Sequence, residues 1–127
     1  MSIQFKTVAK GQPGVAGGGV RKYYASAVSS GEADIDSITR SIERMCTVNG
    51  ADIRAVLYAL VEVASDELAK GNIVRLGDLG SMRVSISSEG CEKEDDVSAS
   101  SIKDAYVLFT PGKMINNSLA TLTFKKA

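Results

Sequence analysis

Three places in the chain hold side chains able to grip an anion. Arg75 and Arg83 flank the turn "LGDLGS", where Gly80 and Ser81 offer backbone amides and a hydroxyl. Lys103 follows a long polar stretch. Lys113 closes "TPGK", in which Thr110 is suited to cap a helix and Pro111 to begin it. A helix starting there would aim free N–H groups, with Lys113, at a negative charge. The chemistry of all three places is the same. It is hydrogen-bond donation and charge neutralisation, with no bond made or broken.

Bond-making chemistry has little to work with. The sequence of 127 residues contains no histidine, the commonest general base and metal ligand. Cys46 and Cys91 stand 45 positions apart without CxxC spacing, so they form no metal signature and suit a reducing compartment. "GVAGGGV" is glycine-rich but precedes a strand pattern rather than a helix, which fails the context of a phosphate loop. "DIDS" and "EDD" lack the spacing of a calcium loop. No enzyme, cofactor or metal is expected. "MSIQFKTVAK" has no signal-peptide core, and the longest apolar run, residues 55–61, is far too short to cross a membrane. A soluble cytoplasmic protein is the expectation.

Lysine plus arginine equals aspartate plus glutamate at 15 each, so the formal net charge is zero. The charge is not evenly spread. Lys6, Lys10, Arg21 and Lys22 lie in the first 30 residues with no acid among them. Residues 89–104 carry Glu89, Glu92, Glu94, Asp95, Asp96 and Asp104 against Lys93 and Lys103. Lys113, Lys125 and Lys126 make the end basic again. A fold could gather the positive segments on one face.

The apolar pattern says which elements must do the gathering. Ile3 and Phe5 alternate with Gln4 and Lys6, and residues 20–28 are rich in valine and tyrosine, so two strands and a hairpin are expected across the loop at 11–19. Ile35, Ile38, Ile42 and Met45 lie on one helical face behind Asp34, a suitable N-cap. Asn49 can cap a second helix, whose stripe of Ile53, Val56, Leu57, Leu60, Val61, Ala64 and Leu68 runs to Gly71. The two make an αα-hairpin. A short strand at 73–76, a glycine turn, and the alternation of Met82, Val84 and Ile86 follow. Residues 88–101 read as a polar loop or extended arm. Residues 105–109 read as the returning strand, then a short helix, then a strand at 122–124.

From residue 34 onward this order resembles the HU/IHF family of bacterial histone-like DNA-binding proteins. The resemblance rests on "KGNIVRLGDLGSMRVSI" at 70–86 and "FTPGK" at 109–113, in order after an αα-hairpin. It implies an HU-like α+β fold: the αα-hairpin, a three-stranded antiparallel sheet with an arm, and a short C-terminal helix. Residues 1–30 are then an added N-terminal β-hairpin, and 31–127 the DNA-binding domain. It also implies a homodimer, and double-stranded DNA held without regard to sequence. The nucleoid would be its place in the cell, with no membrane involved. Arg75, Gly80, Ser81, Arg83, Lys103 and Lys113 would be the DNA-binding residues.

The arm departs from the family. DNA-bending relatives carry arm arginines and a tip proline that wedges between base steps. This chain has only Pro13 and Pro111, puts Ser85 and Ser87 where arm arginines would lie, and makes the tip acidic. Little bending is expected. The competing reading is a structural or regulatory interaction protein that keeps the HU fold, dimerises, and binds DNA weakly or not at all.

Overall fold

The computed structural model describes residues 2–12, 14 and 16–127. Pro13 and Val15, in the loop expected at 11–19, lie outside the described residues. The chain runs β1 (Ser2–Lys10), β2 (Lys22–Val28), α1 (Ile35–Met45), α2 (Gly50–Ala69), β3 (Val74–Arg75), β4 (Gly80–Ser88), β5 (Ile102–Pro111), α3 (Lys113–Leu119) and β6 (Thr123–Lys126).

The helices begin and end on the expected residues. Asp34 Oδ1 accepts the Ser37 amide at 2.8 Å, and Asn49 Oδ1 accepts the Asp52 amide at 2.9 Å. Each carboxylate or carboxamide satisfies an amide that has no partner inside its own helix. Beyond α2 the Gly71 amide donates to Leu68 and the Asn72 amide to Glu67, the paired bonds of a Schellman end, with Gly71 at φ +85°. On α1 the residue most withdrawn from solvent is Thr39, at 2% exposure, while Met45 is 85% exposed. Thr39 lies inside the Ile35–Ile38–Ile42 stripe by helical phase. Its hydroxyl donates to the Ile35 carbonyl at 2.6 Å, so it enters that face with its polar group satisfied.

The described residues form two three-stranded sheets. One has the order β3-β4-β5 and is antiparallel throughout. β3 pairs only at Val74↔Met82 and Arg75↔Ser81. Beyond Met82, therefore, β4 and β5 continue as a two-stranded ribbon. Period-2 alternation places Met82, Val84, Ile86, Val107 and Phe109 on one face of it. The other sheet has the order β2-β1-β6. The N-terminal hairpin forms as expected, with Lys10 opposite Lys22 and Phe5 opposite Ala27. β6 then lies parallel to β1, Ile3 against Phe124 and Gln4 against Lys125, and brings the C-terminal segment onto the N-terminal hairpin.

Among the described residues the buried apolar side chains of the single chain are Ile53 and Ala64, both on α2. Beside them Val56, Leu60 and Val63 remain exposed, Val56 at 65%. These three fall within about one-sixth of the helix circumference, at 100° per residue. The apolar ribbon face is likewise open, with Phe109 at 52%. No helix among the described residues is long and apolar enough to cross a membrane.

Candidate nucleic-acid interface

Backbone hydrogen bonds tie the turn between β3 and β4. The Leu76 amide donates to the Gly80 carbonyl at 2.8 Å, and a single 3-10 turn, Gly77–Leu79, fills the span. The Gly112 amide donates to the Leu79 carbonyl at 3.1 Å and ties the end of β5 to that turn. Two glycines allow this closeness. A Cβ on Gly80, whose φ is +139°, would run into the Thr110 carbonyl oxygen and come within 2.9 Å of the Phe109 ring. A Cβ on Gly112 would overlap the Asp78 carbonyl. Backbone packed this tightly leaves room for no side chain.

The result is an open hollow of about 300 Å³ lined by Arg75, Gly77, Gly80, Ser81, Thr110, Pro111 and Gly112. The register explains why these converge. Ser81 stands opposite Arg75 on one side and Thr110 on the other, so all three project from one face. Arg83 is on that face too, two residues along β4 and opposite Leu108. Lys113 follows Gly112 directly and opens α3. Among the described residues the ion pairs are Arg54–Asp36 and Lys70–Glu67, so Arg75, Arg83 and Lys113 are engaged in neither. The arrangement can donate hydrogen bonds and positive charge to a row of phosphates.

The "TPGK" segment differs from expectation in one respect. Pro111 is the last residue of β5, opposite Gly80, and the N-cap of α3 is Gly112, with no side-chain cap. Thr110 is a strand residue lining the hollow and does not cap the helix. A proline lacks an N–H, and that lack is as well tolerated at a strand end as in a first helical turn. Lys103 lies elsewhere. Ser87 pairs with Asp104 and Ser88 with Ile102, which leaves Lys103 as the extra residue of a β-bulge. At about 3.3 Å per residue it is roughly 23 Å along β5 from Thr110. The structure therefore brings Arg75, Gly80 and Ser81 together with Arg83 and Lys113 close by, and sets Lys103 at the far end of the ribbon.

The same face carries Tyr106, which no sequence motif singles out. It stands opposite Ser85, whose hydroxyl donates to the Tyr106 oxygen at 3.4 Å. The signal was the alternation of Tyr106, Leu108 and Thr110, which becomes informative only once β5 is paired in register.

The acidic stretch closes the ribbon as a folded cap. The Glu89 amide donates to the Ser101 carbonyl at 2.8 Å. Short 3-10 turns at Glu94–Asp96 and Ala99–Ser101 follow, and Ser101 is buried while every carboxylate is exposed. The Ser98 amide donates to Ser101 Oγ at 3.2 Å. Of the two expectations for this stretch, it is a folded loop rather than an extended arm.

Comparison with known proteins follows the same lines. The profile of a family described as an HU domain fused to a winged helix-turn-helix, an immunoglobulin-like or a glycine-rich motif matches residues 1–126. The fold is similar to the crystal structure of a Bacteroides vulgatus protein provisionally described as bacterial and DNA-binding, with a TM-score of 0.67 at 15% identity. The match covers 98% of this chain and 48% of that one, so the chain spans about half the length of that protein. No curated protein matches the chain.

Proposed function

The chain belongs to the HU-HIG family, the HU domains fused to other modules, and from that premise we propose that it binds double-stranded DNA through the phosphate backbone. The observation that carries the reading is the convergence of Arg75, Ser81 and Thr110 on one sheet face around Gly80 and Gly112. Hydroxyl and guanidinium groups hold phosphates without reading bases, whereas the Gly80 amide is taken by the Gly77 carbonyl and the Gly112 amide by the Leu79 carbonyl. Arg83 and Lys113 extend the contact, and Lys103 adds a charge at the ribbon's end. Binding is sequence-tolerant and takes place on the nucleoid.

The working unit is a homodimer. The open strip Val56–Leu60–Val63 and the open ribbon face at Val84, Ile86, Val107 and Phe109 supply an apolar surface that one chain leaves in water. A second copy covers it and doubles the phosphate-facing groups. DNA stays close to straight, because neither proline of the sequence lies within the ribbon loop at residues 89–101.

The test is a fluorescence titration of an end-labelled, mixed-sequence duplex at two salt concentrations. Affinity falls with salt, and each of Arg75→Gln and Arg83→Gln, which removes one guanidinium from each protomer, lowers the slope of log K against log salt by about 2 for the dimer. Energy transfer between the duplex ends changes little on binding. Salt-independent binding, or no binding by the intact dimer at low salt, refutes the reading and leaves an HU fold devoted to protein contacts.

A further inference from the structure

We propose that the β2-β1-β6 sheet is a second phosphate-binding surface, separate from the hollow at Gly80, on which Lys6, Lys10, Lys22 and Lys125 grip duplex DNA. The inference rests on the DNA-binding reading above and adds a site to it. Period-2 alternation and the register sort the sheet into two faces. One face carries Ser2, Gln4, Lys6, Val8 and Lys10 of β1, with Lys22, Tyr24, Ser26 and Val28 of β2 and Thr123 and Lys125 of β6. The other carries Ile3, Phe5, Thr7 and Ala9, with Tyr23, Ala25, Ala27, Phe124 and Lys126. Four lysines therefore share one face with Val8, Tyr24 and Val28, and no aspartate or glutamate occurs in any of the three strands.

This is not an ordinary solvated surface, which mixes both signs. Lys10 and Lys22 are direct cross-strand partners, and like charges so placed repel. Lys125, opposite Gln4, is a diagonal neighbour of Lys6. Neither ion pair found among the described residues relieves any of the four. A fold that assembles such a face from both ends of the chain gains most when an anionic ligand neutralises it. The spacing suits a duplex. Lys6 and Lys10 are about 13 Å apart along β1, close to the major-groove width of about 12 Å that separates facing phosphate rows. The pair Lys10/Lys22 meets one row, and the pair Lys6/Lys125 meets the other. An open hollow of about 330 Å³ lies beside Lys10, Gly11, Tyr24 and Ala25 at the Lys10 end.

The experiment uses the full chain and an end-labelled mixed-sequence duplex. The variant carries Lys6→Gln, Lys10→Gln, Lys22→Gln and Lys125→Gln. It is expected to lower the salt slope by about 3 to 4 for each protomer whose sheet meets the duplex, roughly 0.9 for each phosphate left without its lysine. The ratio of wild-type to variant affinity then falls about a hundredfold per such protomer between 50 and 200 mM salt. In wild-type protein, duplex is expected to protect these four amines from acetylation, read by peptide mass, while Lys70 and Lys93 stay reactive. That measurement does not depend on the variant folding. An unchanged slope in the folded variant, or unprotected amines in the wild-type complex, overturns the proposal. So does a variant that binds DNA normally but loses self-association at low salt, which assigns the face to the acidic cap of a second copy. The Arg75→Gln/Arg83→Gln variant separates the two readings. If it binds as wild type while the lysine variant does not, the hollow at Gly80 fails as the site and the sheet stands.

Discussion

At the scale of single residues, the candidate site depends on two atoms that are missing. Gly80 and Gly112 let the end of β5 lie against the 3-10 turn after β3, and a methyl group at either position meets a carbonyl oxygen. Gly80→Ala and Gly112→Ala should each cost about 1–3 kcal/mol, the usual price of overpacking. Gly80→Ala also forces an alanine to φ +139°. Urea denaturation measures the loss, and a change below about 0.5 kcal/mol would show that the turn relaxes freely. Two carboxylates act at helix ends. The Ser37 amide holds Asp34 below its ordinary pKa. Hydrogen bonds from Asn72 and Lys70, with the Lys70 charge, do the same for Glu67. A depressed folded pKa means that the stabilisation is present above the unfolded value and is lost as pH falls through the folded one. Both helix ends should therefore loosen only in acid, below the ordinary carboxylate range. Carboxyl chemical shifts followed by NMR check this, and midpoints at or above the model-peptide values would contradict it.

At the scale of elements, the helices were readable because caps and apolar phase agree. Asp34, Asn49 and Gly71 stand where a one-dimensional reading puts them. Strand partners were not readable in the same way. Alternation in residues 122–124 predicts a strand but carries no information on which strand it joins. Pro111 fits a helix start and a strand end equally well by its missing donor, so only the close approach of Gly112 to the turn decides between them. The bulge that displaces Lys103 needs the pairing of Ser87 and Ser88 to be seen. Convergence of Arg75, Gly80 and Ser81 was foreseeable from their closeness in sequence, whereas Tyr106 and Thr110 come from a strand about 25 residues on. Element-scale reasoning also gives a sharp test of association. Val56 is well exposed in the single chain, so Val56→Asp should change the stability of a monomer by less than about 0.5 kcal/mol. If α2 is a dimer contact, the buried aspartate dissociates it, and sedimentation shows the shift at micromolar concentration. Leu57→Ala, one residue deeper in the stripe, should cost about 2–5 kcal/mol once partner packing is counted.

At the scale of the whole molecule, a zero net charge hides a strong separation of sign. Lysines gather on the β2-β1-β6 sheet, and carboxylates gather on the cap of the ribbon. Glu92, Glu94, Asp95 and Asp96 should repel a duplex lying within about 8–10 Å, one screening length at moderate salt. Converting them to glutamine or asparagine should tighten DNA binding at low salt, with a gain that shrinks as salt rises. The cap should stay folded, since its internal hydrogen bonds run through Glu89, Ser98 and Ser101 backbone and hydroxyl groups. Unchanged affinity at low salt would mean that the cap lies away from the bound duplex.

The parallel pairing of β6 with β1 sets a schedule for folding. Ser2 and Thr123, whose hydroxyls meet at 2.8 Å, are separated by 121 positions. Closing a loop of that size carries an entropy cost that grows as the logarithm of its length. It is met most cheaply after the helices and the β3-β4-β5 sheet have shortened the path between the ends. On the ribosome, β1 and β2 can pair as soon as they emerge, but one edge of β1 waits open until β6 is released. A shortened chain that stops before residue 123 keeps that edge exposed for good, a template for strand addition by a neighbouring copy.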